Sequence, residues 1–558
     1  MNEPNFAINF VGDGYSTSKK IMGRQSAGKS LIRGMARKWQ NSIINGFGTG
    51  AANDLVKQLR SEGFLSKVRW FNEQTSVPPL GLNAVYYPAP PSKALAYRRN
   101  RLSPSSYSIF GVTHTLSSSG AMDQISELIL PPFKPWDAII CTSSAALGVV
   151  NNLHDEAREW WTHALGASRF NAIQKVVIPL GINAPDFETR PDNRSLLRMK
   201  LGLEESDICF LFAGRMTFHA KANPVAFYQA IEAACQTLKL RLVCVEAGIY
   251  PNEGTQKAFE EARALIAPSA KFVHVNGADK DAYDGAWAAA DVFVSLSDNI
   301  QETFGITPLE AMAAGLPVIV SDWNGYKDTV RDGVDGFRIP VIWPAGGSGR
   351  DLALRHDEGS DSYDYYIGRV SMTTVIDIGV LTKRMIDLAQ SESLRRSLGE
   401  AGRQRVRTHF DWPVILDQYT NLASELEAIR KQAGDSQDDL GRPNRPDPFS
   451  LFSHYPTSVV TGDLTVTLNA GLAAHLEAYL DLGMLGYAID PAVLPKGAIR
   501  EIVANVVPGA TVSHLMAVCP TIDNGIKIRA IMWLAKMGML ILGTQIGGEE
   551  TSSTIMKD

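Results

Sequence analysis

Short apolar runs of strand length alternate with longer stretches of helical spacing through most of this chain. Residues 6–11, 84–87, 108–112 and 138–142 read as strands, and residues 175–183 as a strand closed by a turn. The Gly12-Asp13-Gly14 segment reads as a loop, and a helix is predicted at about 29–40. A polar, charged segment at 185–206, with a short helix at 193–201, reads as a hinge. Beyond it strands are predicted at 207–213, 242–246, 271–275, 290–295 and 316–321, with helices at 225–239, 256–266, 280–289 and 308–314. Alternation of this kind implies an α/β chain with parallel sheets covered by helices on both faces. Helical spacing returns at 376–388 and 393–410, is broken by Trp412-Pro413, and resumes at 414–431. Residues 432–448 (QAGDSQDDLGRPNRPDP) are a polar linker. The rest forms an appendage with helical spacing at 468–482 and 526–542.

Length and charge narrow the classes. A chain of 558 residues holds two or three domains, and 45% hydrophobic with 20% charged residues describes a globular protein with ample core. A net charge of −5 argues against a nucleic-acid surface. Cys141, Cys209, Cys235, Cys244 and Cys519 are odd in number and lack metal-ligand spacing, so they read as buried thiols of a reducing compartment. The first residues lack a signal-peptide pattern. The most apolar stretch, 530–542, is short and carries Lys536, as a core helix would. A cytoplasmic location is expected, without an integral membrane segment.

The densest chemistry lies in residues 298–336, DNIQETFGITPLEAMAAGLPVIVSDWNGYKDTVRDGVDG. Thr307-Pro308-Leu309-Glu310 reads as a helix start, with Thr307 as the N-cap. A strand, a loop and a helix N-terminus in this order make a backbone anion site from the amides of Phe304, Gly305 and Ile306. Glu310 alone fits a capping box equally well, and Glu302 alone fits a solvated loop.

Other candidates need weighing. Gly23 to Ser30 (GRQSAGKS) satisfies the pattern of a phosphate-binding P-loop, but the strand does not run directly into it and no Mg²⁺-binding Asp follows in place. The better reading is a loop in which Gly28 lets backbone approach a ligand. His114 follows a strand at its carboxyl end, where ligands sit in doubly wound sheets, although a lone His is more often structural. His154, beside Asp155 and Glu156, reads as a surface residue. Arg215 and Lys221 lie on the loop leaving strand 207–213. They are either solvated cations or ligands for an anion. No convincing Asp-x-Asp metal motif occurs in this half. Residues 344–374 are rich in Gly, Asp, Ser and Tyr, and within them 357–366 looks like an exposed insertion, a lid near a second substrate.

Taken together, Glu302 and Glu310 around Phe304-Gly305, ahead of EAMAAGLPVI, resemble the donor site of the retaining GT-B glycosyltransferases (glycosyltransferase family 4, glycosyl transferases group 1). KVVIPLGIN at 175–183, the Arg215–Lys221 loop and GVDGFRIP at 333–340 resemble further parts of that family, although Lys221 is followed by Ala222-Asn223 rather than Gly. The resemblance covers about the first three quarters of the chain. It implies a GT-B fold, with two Rossmann-like doubly wound domains facing a cleft and a small, mainly helical C-terminal appendage. The expected division is 1–185 for the acceptor-side domain and 186–412 for the nucleotide-sugar domain. A crossover helix at 413–431, a linker at 432–448 and the appendage at 449–558 follow.

The same resemblance implies transfer of a sugar from a UDP-, GDP- or ADP-sugar to an unidentified hydroxyl. Arg215 and Lys221 would hold the leaving diphosphate, and Glu302 and His114 would face the donor sugar. Glu310 would bind the ribose. Phe304, Gly305, Ile306, Thr307, Gly28 and Asn276 would complete the donor site. Two cations and a helix N-terminus could replace a metal, so no metal and no cofactor are expected. A phosphorylase or epimerase-like activity, and a non-catalytic scaffold, remain the alternatives. Peripheral membrane contact and oligomerisation through the appendage stay open.

Overall fold

A computed structural model describes residues 4–10, 12–15, 23–50, 52–73, 82–188, 194–238, 240–434, 442–518 and 520–543. Two parallel sheets organise the first of two compact units, Met1–Arg442. The first sheet consists of β1 (Phe6–Asn9), β2 (Ile44–Gly48), β3 (Val68–Asn72), β4 (Ala84–Tyr87), β5 (Ser108–Val112), β6 (Ala138–Cys141) and β7 (Gln174–Val177). The second consists of β8 (Ile208–Ala213), β9 (Leu242–Gly248), β10 (Lys271–Asn276), β11 (Val292–Ser295), β12 (Val318–Ser321) and β13 (Gly336–Ile339). Their orders are 3-2-1-4-5-6-7 and 10-9-8-11-12-13, and every pairing in both is parallel. These are the expected doubly wound, Rossmann-like sheets. In each, the order reverses beside the first strand, between β1 and β4 and between β8 and β11. The loops leaving those strands diverge there and open a crevice.

One apolar core joins the two sheets to the last helix of the unit. Trp412–Ala433 buries Trp412, Ile415, Tyr419 and Leu426 against the first sheet and helix Gly23–Lys38. Asp411 fixes the crossing, because Arg37 donates to both of its oxygens at 3.0 and 3.1 Å. Within the first sheet, Arg99 and Asp137 form a fully buried pair, closed by the backbone N–H groups of Ile109 and Lys134.

Several sequence expectations need correction. β2 and β3 were not anticipated: β2 carries two glycines and an Asn, and half-exposed β3 sits at a sheet edge, so neither shows an apolar alternation. Gly12–Tyr15 is a helical turn rather than a loop. Helix Gly23–Lys38 begins earlier than expected, so the P-loop-like residues 23–30 are its first two turns. His154 is buried, not superficial, because on helix Ser144–Leu165 it falls on the face of Ala146 and Val150. Its Nε2 lies 3.0 Å from the Ile125 carbonyl, and burial with the Lys175 charge lowers its pKa to about 4. Cys141, Cys209 and Cys244 are buried and Cys235 half-buried. Cys519 lies outside the described residues.

The insertion is not a bare loop. It forms helices Arg350–Asp357 and Tyr363–Ser371, enclosed by the short antiparallel pair β14 (Val341–Ile342) and β15 (Val375–Ile376).

The second unit, Pro443–Asp558, has its own core of Leu476, Leu480, Ile499, Ile502, Leu515, Ile531 and Leu534. The run expected as one helix at 526–542 divides. Helix Asn524–Lys536 ends, Gly538 turns the chain at φ +72°, and β17 (Leu540–Gly543) pairs antiparallel with β16 (Thr465–Leu468). The helical run expected at 468–482 likewise becomes the end of β16 and the short helices Ala470–Ala473 and Leu476–Asp481. Among the described residues no helix is long and apolar enough to cross a membrane.

Candidate functional site

The crevice of the second sheet is bounded by two loops, one leaving β8 with Arg215 and Lys221, the other leaving β11 with residues 296–305. Polar contacts lace them together. Asn299, fully buried, donates through Nδ2 to the His219 carbonyl at 2.5 Å and accepts from the Gln301 amide at 2.8 Å. Ser297 Oγ donates to the Lys221 carbonyl, and Asp298 Oδ2 accepts from the Asn223 amide. Asp298 is buried, and desolvation raises its pKa to about 7.

This framework brings Lys221 Nζ to 2.5 Å from Glu302 Oε2, with the two side chains only 17% and 16% exposed. Burial alone would push Glu302 up, but the Lys221 charge and hydrogen bonds from Lys221 and the Phe304 and Gly305 amides hold it below the usual range. Burial would likewise push Lys221 down, and Glu302 with Tyr326 raises it instead. Both partners are therefore ionised at neutral pH. Arg215, more exposed, donates from Nη2 to Gln301 Oε1 at 2.9 Å. Neither the Glu302 nor the Lys221 side chain is merely solvated.

The following helix, Ile306–Ala313, starts two residues before the expected one. Its N-cap is Gly305 rather than Thr307. Gly305 has φ +82°, and a Cβ there would stand 1.9 Å from the Tyr326 ring. With no side chain capping this end, the first-turn amides form a positive terminus. Thr307 falls inside the first turn, and its Oγ1 is enclosed without a hydrogen-bond partner among the described residues. Glu310 falls beyond the capping position and so is not part of a capping box. Burial, opposed by Lys221 and reinforced by Asp284, raises its pKa to about 7. Tyr326, bonded to Ser295 Oγ at 2.8 Å, closes the floor beneath Gly305.

The first domain supplies the opposite wall. Ser143, the N-cap of helix Ser144–Leu165, donates to the Thr303 carbonyl at 2.9 Å, and the Ser144 amide meets Asp328 Oδ2 at 2.5 Å. His114, half-buried at the carboxyl end of β5, has Nε2 3.2 Å from the Pro88 carbonyl. Asn276 closes β10 at an exposed position and accepts from the Ala278 amide.

Gly28 lies within helix Gly23–Lys38, where a Cβ would come within 2.1 Å of the Gly14 carbonyl oxygen. Close packing accounts for that glycine without a ligand. Sequence reasoning singled out neither Gln301, Asn299, Tyr326, Ser143 nor Tyr363. Gln301 and Asn299 stood inside the quoted motif, but their role depends on which loop they face.

The family described as Glycosyl transferases group 1 matches residues 193–342, a segment that holds both loops and the helix N-terminus. The D-inositol 3-phosphate glycosyltransferase of Geodermatophilus obscurus is 27% identical over 300 residues, covering 51% of this chain and 55% of that protein. The protein of the same name from Nocardioides sp. is 31% identical over 167 residues, 28% of this chain and 35% of its own length. The chain thus spans about half or less of the length of these relatives. Among solved structures, Anabaena HepE in complex with UDP aligns with a TM-score of 0.47 at 16% identity, over 75% of this chain and 99% of that one. The match to the glycosyl transferases group 1 family thus falls on the domain built on the second sheet.

Proposed function

We propose that this protein is a retaining, metal-independent glycosyltransferase that moves a hexosyl group from a nucleoside-diphosphate sugar to an acceptor hydroxyl. The observation that carries this reading is one crevice holding the Lys221–Glu302 ion pair, Arg215 and the uncapped N-terminus of helix Ile306–Ala313. As the bond from the anomeric carbon to the diphosphate breaks, negative charge grows on the leaving oxygens. Arg215, Lys221 and the free amides in the first turn of helix Ile306–Ala313 would stabilise that charge more than the ground state. These groups are preorganised by their own hydrogen bonds, so they could serve in place of a divalent cation.

Glu302 would exchange part of its bond with Lys221 for the donor sugar's hydroxyls. Glu310 would accept from the ribose hydroxyls, a contact that favours its ionised form. Thr307 and Asn276 would be secondary contacts of the donor, and His114 would face the sugar from the first domain. The acceptor would enter on that side.

Calorimetric binding of UDP, GDP and ADP, with and without Mg²⁺, to the wild type and Glu310→Ala tests this. One diphosphate should bind in the micromolar range, weakened at least tenfold by the substitution and indifferent to Mg²⁺. Absence of binding to all three would overturn the reading.

A further inference from the structure

Helices Arg350–Asp357 and Tyr363–Ser371 touch each wall of the crevice. On the first domain, Ser117 Oγ lies 2.9 Å from Tyr363 Oη, and Ser119 Oγ lies 3.1 Å from His356 Nε2. On the cation loop, Gly368 stands against His219, and Asn223 Nδ2 approaches Met372 Sδ at 3.6 Å. On the loop after β11, Thr374 Oγ1 donates to the Asp298 carbonyl at 2.9 Å. The strap is stiff. Asp361, nearly inaccessible, is held by Arg355 and Arg369, and the His356 and Tyr366 rings stack 4.6 Å apart.

A hydrogen-bond chain runs from the strap into the site, and chemistry fixes its direction from Arg215 to Tyr363. Arg215 can only donate, so the Gln301 amide must turn its oxygen toward Arg215, at 2.9 Å. The Gln301 Nε2 then faces Tyr363 Oη at 3.3 Å and donates to it. Tyr363 Oη and Ser117 Oγ share the next hydrogen bond, in which either hydroxyl can donate. Gln301 is anchored at its own amide by Asn299 Oδ1, so its side chain is held between Arg215 and the strap. We infer that Tyr363 is a positioning residue for Arg215, tying the aim of that guanidinium to contact between the strap and the first domain. This rests on the reading of Arg215 as a diphosphate-binding cation. The guanidinium is thus oriented through Gln301, Tyr363 and Ser117, so the contact with the first domain bears on how Arg215 is aimed.

The test is a double-mutant cycle on the full chain, read as calorimetric affinity for UDP, GDP and ADP. Tyr363→Phe keeps the ring and removes the hydroxyl, and it should weaken binding about fivefold. Ser117→Ala should do the same from the other side. Arg215→Ala should weaken binding further, and adding Tyr363→Phe to it should change nothing more, because the hydroxyl acts only through Arg215. A purely structural tyrosine would cost the same factor in both backgrounds, which would overturn the inference, as would wild-type affinity in Tyr363→Phe or in Arg215→Ala. If the wild type binds none of the three diphosphates, the proposed function itself falls.

Discussion

Two glutamates on one loop-and-helix segment are driven in opposite directions by their surroundings. Burial acts upward on both. At Glu302 it is overcome by Lys221 and two backbone amides, whereas Glu310 has no ion pair among the described residues and stays at about 7. Environments that separate the titration of neighbouring carboxyls are common where each has a different task. The identities of both residues were legible in the motif. The proton on Glu310 was not, because it depends on what encloses the side chain.

A carboxyl whose folded-state pKa lies above its unfolded value stabilises the fold fully below the unfolded value, and that contribution is lost as pH rises through the folded one. For Glu310 the window runs from about 4.5 to about 7. Glu310→Gln should therefore match the wild type in thermal unfolding near pH 4.5 and exceed it near pH 8. The gain should be about 2 kcal/mol, given 1.36 kcal/mol per pKa unit and partial solvent access. A difference that does not change with pH would show that Glu310 does not titrate in this range.

At the level of the element, helix Ile306–Ala313 illustrates what local sequence signals miss. Thr307-Pro308-Leu309-Glu310 has the residues of a helix start, and in isolation Thr307 would cap it. Tertiary packing moves the start upstream instead. Tyr326 lies under Gly305, and a glycine at φ +82° can bring the Phe304 and Gly305 amides onto Glu302 while opening the first turn. Both the φ and the missing Cβ are required. Gly305→Ala should destabilise the protein by about 2–3 kcal/mol, from left-handed strain and from displacement of the Tyr326 ring. It should also weaken nucleoside-diphosphate binding, because the amides lose their aim. Thermal unfolding and calorimetry on the same variant check both, and unchanged binding would remove the helix terminus from the donor site.

At the level of the whole molecule, the alternation of apolar runs foretold two parallel sheets, and the position of the site follows from their strand order. The crevice opens where β8 and β11 diverge, and the residues proposed for the diphosphate leave those two strands. Strand order is not written in periodicity, and glycine-rich β2 with edge strand β3 hides part of the first sheet. The contacts of the strap were equally hidden, since a polar, tyrosine-rich segment reads as exposed until its partners are known.

The second unit has a core of its own. Its apolar residues close on one another, and each group assigned to the donor belongs to the first unit. A chain ended after residue 442 should therefore keep its nucleoside-diphosphate affinity within about twofold, a change of roughly 0.4 kcal/mol on the affinity scale. Calorimetry on the shortened chain beside the full one decides it. Equal affinity would confine the appendage to a role outside donor capture. A loss of tenfold or more would mean that residues 443–558 complete the site, and that a donor crevice drawn from the first unit alone is wrong.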